Sequence, residues 1–203
     1  MLQVFCDFDG TITNRDSIVF LTEFFGGGTR YRADILEAIK EGRLTVTEAI
    51  ERELATVKVS WEEAKAALKA NILVDTTFPN FVDWCHDRGH SLQIVSSGMK
   101  PILDLFIGEL GIPFFAHSVE ISSQGWLYRR KPEHDKEVIL GAAGDERSLV
   151  YIGDGTSDVA AIPYADILFA KSYLAGYCGL KGVQFFPYQT FDDVRRKLSE
   201  LAS

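Results

Sequence analysis

Five short runs, QVFCDF (3–8), SLQIVSS (91–97), SLVYIGD (148–154), ADILFA (165–170) and VQFFP (183–187), are apolar without strict alternation. A strand with one wet face alternates apolar and polar residues. A strand covered on both faces does not, and that pattern belongs to parallel sheets sandwiched between helices. Helix-like segments separate these runs. They cover 78–88, stopped by Gly89; 101–109, with Pro101 at its start and Gly111 past its end; and then 135–143, 156–164 and 191–201. The alternation predicts an α/β fold with a doubly wound, mostly parallel, Rossmann-like sheet. A small hairpin is expected over 117–128, turning at Ser122-Ser123-Gln124-Gly125.

One region breaks the alternation. Between DFDGTIT (7–13) and the run at 91 no strand signal occurs, and the gap far exceeds an ordinary crossover. It carries helix signals instead: apolar 18–25 ahead of Gly26-Gly27-Gly28, then 31–41. Thr45-Val-Thr-Glu48 and Ser60-Trp-Glu-Glu63 read as capping boxes. Residues 14–76 are therefore expected to form a helical cap inserted into an α/β core of residues 1–13 and 77–203. The alternative is extra helices packed on one sheet face.

Composition narrows the partners. The formal net charge of −8 argues against nucleic acid or an anionic membrane, and no apolar stretch is long enough to span a bilayer. Cys6, Cys85 and Cys178 are far apart and odd in number, so neither a disulfide framework nor a zinc spacing is present. They are expected to be buried thiols in a cytoplasmic protein, a monomer or homodimer.

Three strand ends look alike. The first ends Asp7-Phe8-Asp9-Gly10-Thr11, another Val95-Ser96-Ser97-Gly98, and a third Ile152-Gly153-Asp154-Gly155-Thr156-Ser157-Asp158. Each is an apolar strand, a small polar or acidic residue, glycine and a helix start. In an open parallel sheet the carboxyl ends of the strands share one edge, where ligands bind. Carboxylates crowded there repel one another unless a cation binds, and hard oxygen ligands favour Mg²⁺. Serine hydroxyls and glycine-loosened N–H groups suit a tetrahedral anion. Mg²⁺ beside an oxyanion pocket implies phosphoryl chemistry. Taken singly, each motif is also an ordinary solvated turn or helix cap; their joint occurrence in order carries the inference.

DFDGTIT resembles the first motif, DxDGT, of the haloacid-dehalogenase-like hydrolase superfamily, IVSSG the second and GDGTSD the fourth. The insertion after the first motif resembles the cap of its phosphoserine-phosphatase-like branch. The resemblance implies that Asp7 is the nucleophile and Asp9 the general acid and base. Thr11 would orient Asp9 and stand with Ser96, Ser97 and Gly98 around the phosphate. Mg²⁺ would be held by the Asp7 carboxylate, the Asp9 backbone carbonyl and Asp154, with Asp158 in support. For the phosphate-neutralising lysine, helix placement favours Lys136 over Lys131. Asp16 stands where phosphoserine phosphatases carry a substrate-binding glutamate.

The tail ADILFAKSYLAGYCGLKGVQFFPYQTF resembles the methionine-salvage phosphatases that act on 2-hydroxy-3-keto-5-methylthiopentenyl-1-phosphate, though it bears on kinship more than on substrate. Phe20, Phe24 and Phe25 would either meet a methylthio group or fill the cap's own core. A phosphomutase and a receiver-like phospho-switch are the competing functional classes; the long insertion and an acid at position 9 count against the switch.

Overall fold

In the computed structural model, which describes residues 1–144 and 147–201, the apolar run at the N-terminus forms β1 (Gln3–Cys6). It pairs in parallel on both sides, with β2 (Ser91–Met99) and β5 (Leu149–Gly153). The order across the sheet is β4–β3–β2–β1–β5–β6–β7. Here β3 is Phe114–Glu120, β4 Leu127–Arg129, β6 Ile167–Ala170 and β7 Phe186–Pro187. β4 alone among these strands runs antiparallel to its neighbour.

Absence of alternation in the strands has a direct cause. Val4, Cys6, Ile94, Val150, Ile152 and Phe169 face one apolar cluster, and Phe5, Val95, Tyr151, Leu168 and Ala170 face another. The first is covered by α5 (Phe78–Asp87), α6 (Lys100–Ile107) and α9 (Phe191–Leu201) through Phe78, Phe81, Leu103 and Phe191. The second is covered by α7 (Lys136–Gly141) and α8 (Ser172–Lys181) through Leu140, Leu174 and Cys178. The α/β sandwich expected from the sequence is the fold.

Helices α1 (Ser17–Phe25), α2 (Gly28–Lys40), α3 (Val46–Ala55) and α4 (Trp61–Asn71) lie between β1 and α5 in the chain. Both capping boxes form, Thr45 with Glu48 and Ser60 with Glu63. The segment is closed at its neck by a bridge between Thr13 and Val74, and Asn14 N–H donates to Leu73 O at 2.9 Å. Ile18, Phe20, Leu21, Leu54 and Leu68 join the sheet's larger core, whereas Ile35, Ala38, Leu44 and Ala49 make a small core between α2 and α3.

Some expectations need correction. β3 begins at Phe114, before the expected hairpin, because its first residues pair in parallel with Ile94 and Val95 of β2. Residues 157–164 form a 3-10 helix with Pro163 inside it; proline lacks the N–H that an α-helical turn there would use. α8 had no helix signal, since Gly176 and Gly179 are poor helix formers. Packing of Leu174 and Cys178 on the sheet holds it. All three cysteines are free and buried. Among the described residues, no helix is long and apolar enough to cross a membrane.

Candidate active site

Because β2, β1 and β5 are neighbours and parallel, their carboxyl ends meet at one rim. A cavity of about 230 Å³ opens there, lined by Asp7, Asp9, Ser96, Ser97, Gly98 and Asp154. The three look-alike strand ends are thus one place.

Asp7 follows β1 and is fixed by its backbone N–H, which donates to Ile152 O at 2.9 Å. Its side chain is buried, and Oδ1 accepts from Lys136 Nζ at 2.7 Å. Burial, and then the nearby Asp158, push the Asp7 carboxyl up to about 7 despite that lysine. Lys136 also contacts Ser157 Oγ at 3.1 Å and pairs with Asp158. Burial pulls its pKa down, but Asp158 and Asp7 together hold it above the usual value. Lys131 is placed elsewhere: its backbone N–H donates to His117 Nδ1 at 3.0 Å, beside β3.

Asp9 turns toward the helical insertion. Its Oδ1 accepts from the Ser17 N–H at 2.8 Å, at the start of α1. Burial, then Asp16, raise its pKa well above the ordinary value, while the Ser17 bond opposes them. Asp16 lines the cavity, but its Oδ1 caps α1 by accepting from the N–H groups of Ile18 and Val19 at 2.8 and 2.9 Å. Helix capping thus occupies one of the two carboxylate oxygens of the residue that the sequence suggested for substrate.

Thr11 differs from expectation. Its hydroxyl donates to Asp154 Oδ1 at 3.1 Å, and Thr11 does not line the cavity. The main chain turns at Gly10, with φ +76°, and brings residue 11 against the end of β5. A Cβ at Gly10 would collide with the Asp154 carboxylate. Gly98 is also sterically confined: an added Cβ would lie 2.7 Å from Asp9 Oδ2. Its N–H donates to Ser96 Oγ at 2.9 Å, so that donor is already engaged within the loop. The Ser97 carbonyl accepts from Tyr128 OH at 2.9 Å.

Asp158 is fully buried and saturated. It accepts from Lys136, from Tyr151 OH at 2.6 Å, and from the N–H groups of Asp154 and Gly155 at 2.8 and 2.7 Å. It folds the loop after β5 and anchors Lys136. Asp7, Asp154 and Asp158 bring one carboxylate oxygen each within 4.8 Å of one another. Burial, then Asp7 and Asp158, raise Asp154 to about 8. Such crowding of hard oxygen donors suits a divalent cation.

Sequence reasoning missed several lining residues. Ser172 follows β6, and the same strand-end rule would have found it. Lys171 beside it donates to Thr11 O at 3.1 Å, tying that junction to the first. Arg32 and Glu53, from α2 and α3, line the cavity without any local signal. Phe20 is buried and Phe24 exposed, and aliphatic Ile18, Ile39, Val46 and Ile50 line the cavity instead of the phenylalanines.

Known proteins bear on this rim. The chain is 32% identical to Pdp3-interacting factor 1 of Schizosaccharomyces pombe, over 98% of this chain and 96% of that protein. It is 29% identical to the polyol phosphate phosphatase PYP1 of Saccharomyces cerevisiae, over 98% and 92%. A 2-hydroxy-3-keto-5-methylthiopentenyl-1-phosphate phosphatase of Bacillus cytotoxicus is 26% identical over 98% and 97%. In fold it is similar to a phosphoserine phosphatase solved as a phospho-aspartyl intermediate analogue, with TM-score 0.73 and 18% identity, covering 98% of this chain and 99% of the other. The family model described as haloacid dehalogenase-like hydrolase matches residues 4–162. With its three like strand ends gathered at one rim, the chain belongs to the haloacid dehalogenase-like hydrolase family and is one of its phosphatases.

Proposed function

We propose that this enzyme hydrolyses a small phosphomonoester through a phosphorylated Asp7, with Mg²⁺ as cofactor. The observation that carries the reading is the convergence of Asp7, Lys136, Asp9 and Ser96 on one buried rim. The Asp7 and Asp154 carboxylates and the Asp9 carbonyl would hold the cation, since Asp158 is committed to its own donors. When bound, Mg²⁺ offsets the crowded negative charge and polarises a phosphoryl oxygen.

In the first half-reaction an Asp7 oxygen attacks phosphorus and the ester P–O bond breaks. Asp9, whose environment favours the protonated form, gives its proton to the departing alkoxide. Asp9 then takes a proton from water, whose oxygen attacks the same phosphorus, and the acyl phosphate P–O bond breaks to restore Asp7. Lys136 neutralises charge on Asp7 and the phosphoryl group. Ser96 Oγ–H and the Ser97 N–H donate to the phosphoryl oxygens. Residues 14–76 act as a cap that encloses the leaving group.

Two substrates have support. The tail resemblance and the Bacillus relative favour the methionine-salvage ester, for which the aliphatic wall offers a seat. The yeast relative favours a polyol phosphate. The chemistry is tested with p-nitrophenyl phosphate. Asp7→Asn should abolish Mg²⁺-dependent phosphate release, and Asp9→Asn should slow turnover by about a hundredfold or more. Undiminished release by Asp7→Asn would refute the nucleophile assignment.

A further inference from the structure

We propose that Arg32 and Glu53 read hydroxyl groups of the substrate, and that the substrate is the phosphate monoester of a small polyhydroxy alcohol. This rests on the phosphatase reading above and names its substrate class. Both residues line the cavity that contains Asp7 and Asp9, yet they come from α2 and α3.

Glu53 is 4% exposed. Its Oε1 lies 3.0 Å from Arg32 Nε, close enough for charge pairing. The geometry is off-line, so Glu53 Oε1, Arg32 Nε and Arg32 Nη1 make no hydrogen bond among the described residues, although all three are buried. Buried polar atoms left this way have given up water without a hydrogen bond in return. A cavity wall that keeps three of them invites a ligand that completes them. Burial lifts Glu53 to about 7 against the pull of Arg32, consistent with a carboxyl short of donors.

The chemistry of the missing partner follows. A hydroxyl both donates and accepts, so one O–H satisfies Oε1 while its oxygen accepts from the guanidinium, and the ion pair stays intact. A substrate carboxylate would meet repulsion from Glu53 and Asp16, and a substrate ammonium would meet Arg32. A zwitterionic amino-acid ester would have to split the pair. A wholly apolar tail would leave all three atoms unsatisfied. Ile18, Ile39, Val46, Ala49 and Ile50 remain to pack the carbon skeleton.

The test measures phosphate release by the full chain with Mg²⁺ from six esters: glycerol 3-phosphate, ribitol 5-phosphate, sorbitol 6-phosphate, phosphoserine, the methionine-salvage ester and p-nitrophenyl phosphate. The double variant Arg32→Met/Glu53→Leu removes both charges together, which leaves no lone buried ion and preserves folding, as thermal melting will verify. Wild type should prefer the polyol esters to phosphoserine and the salvage ester. In the variant the ratio of polyol to p-nitrophenyl phosphate kcat/KM should fall by about tenfold to a hundredfold, mostly through KM. Where the double variant melts early, Glu53→Gln keeps the side-chain shape, and the same ratio should fall by about threefold or more. An unmoved ratio, or a wild type that prefers phosphoserine or the salvage ester, overturns the inference and leaves the phosphatase standing. A wild type that releases phosphate from none of the six overturns the phosphatase reading itself.

Discussion

Lys136 keeps its charge at a position that is 3% exposed, because Asp7 and Asp158 surround it. Helix placement in the sequence favoured Lys136 over Lys131; burial beside Asp7 adds the contact itself, since no local pattern specifies a partner that distant in the chain. His117 is the opposite case, a buried ring that stays neutral. Burial lowers its pKa to about 4, with Asp135 opposing and the Lys131 N–H donating to Nδ1. The unfolded chain protonates this ring near its ordinary value of 6.5, whereas the folded chain waits until about 4. The unfolded state therefore binds more protons across that window, and stability falls as pH falls through it, by at most about 1.4 kcal/mol per pH unit. In melts across that range, His117→Gln should lose less stability on acidification than wild type. Parallel curves would refute the assignment.

Among elements, the hairpin β3–β4 does more than close the sheet. Its turn leads into Trp126, which is 1% exposed, and the indole Nε1–H donates to Val59 O at 2.9 Å. The Trp126 backbone N–H donates to Leu54 O at 3.0 Å, and the ring packs against Trp61 at 6.2 Å. Trp126 thus fastens the hairpin to α3 and α4 across the two parts of the chain. Trp126→Ala should cost about 3–5 kcal/mol in urea denaturation, through the vacated volume and the lost bond. A change below about 1 kcal/mol would mean the contact is dispensable. The capping boxes were legible because they are local, residue to residue within one turn. The early start of β3 was not, because its evidence is a neighbouring strand.

For the whole molecule, negative charge converging on the rim links metal binding to stability. Asp7 and Asp154 both have raised pKa values because burial and neighbouring carboxylates, Asp158 for Asp7 and Asp7 with Asp158 for Asp154, penalise their ionised forms. A cation that binds only the folded chain should raise its melting midpoint, by about 2.7 kcal/mol in stability at a hundredfold excess over Kd. Asp154→Asn should shrink that rise, and an unchanged midpoint with Mg²⁺ would sink the cation assignment. The sequence by itself determined the fold class, the strand-end rim and the helical insertion. Those are written in local patterns: apolar runs without alternation, glycine after an acid, caps before helices. The tertiary structure alone decided that Lys136 meets Asp7, that the Thr11 hydroxyl serves Asp154 instead of Asp9, and that Arg32 and Glu53 share the cavity. Each joins side chains from different elements, and only the packed chain fixes which of them come within reach.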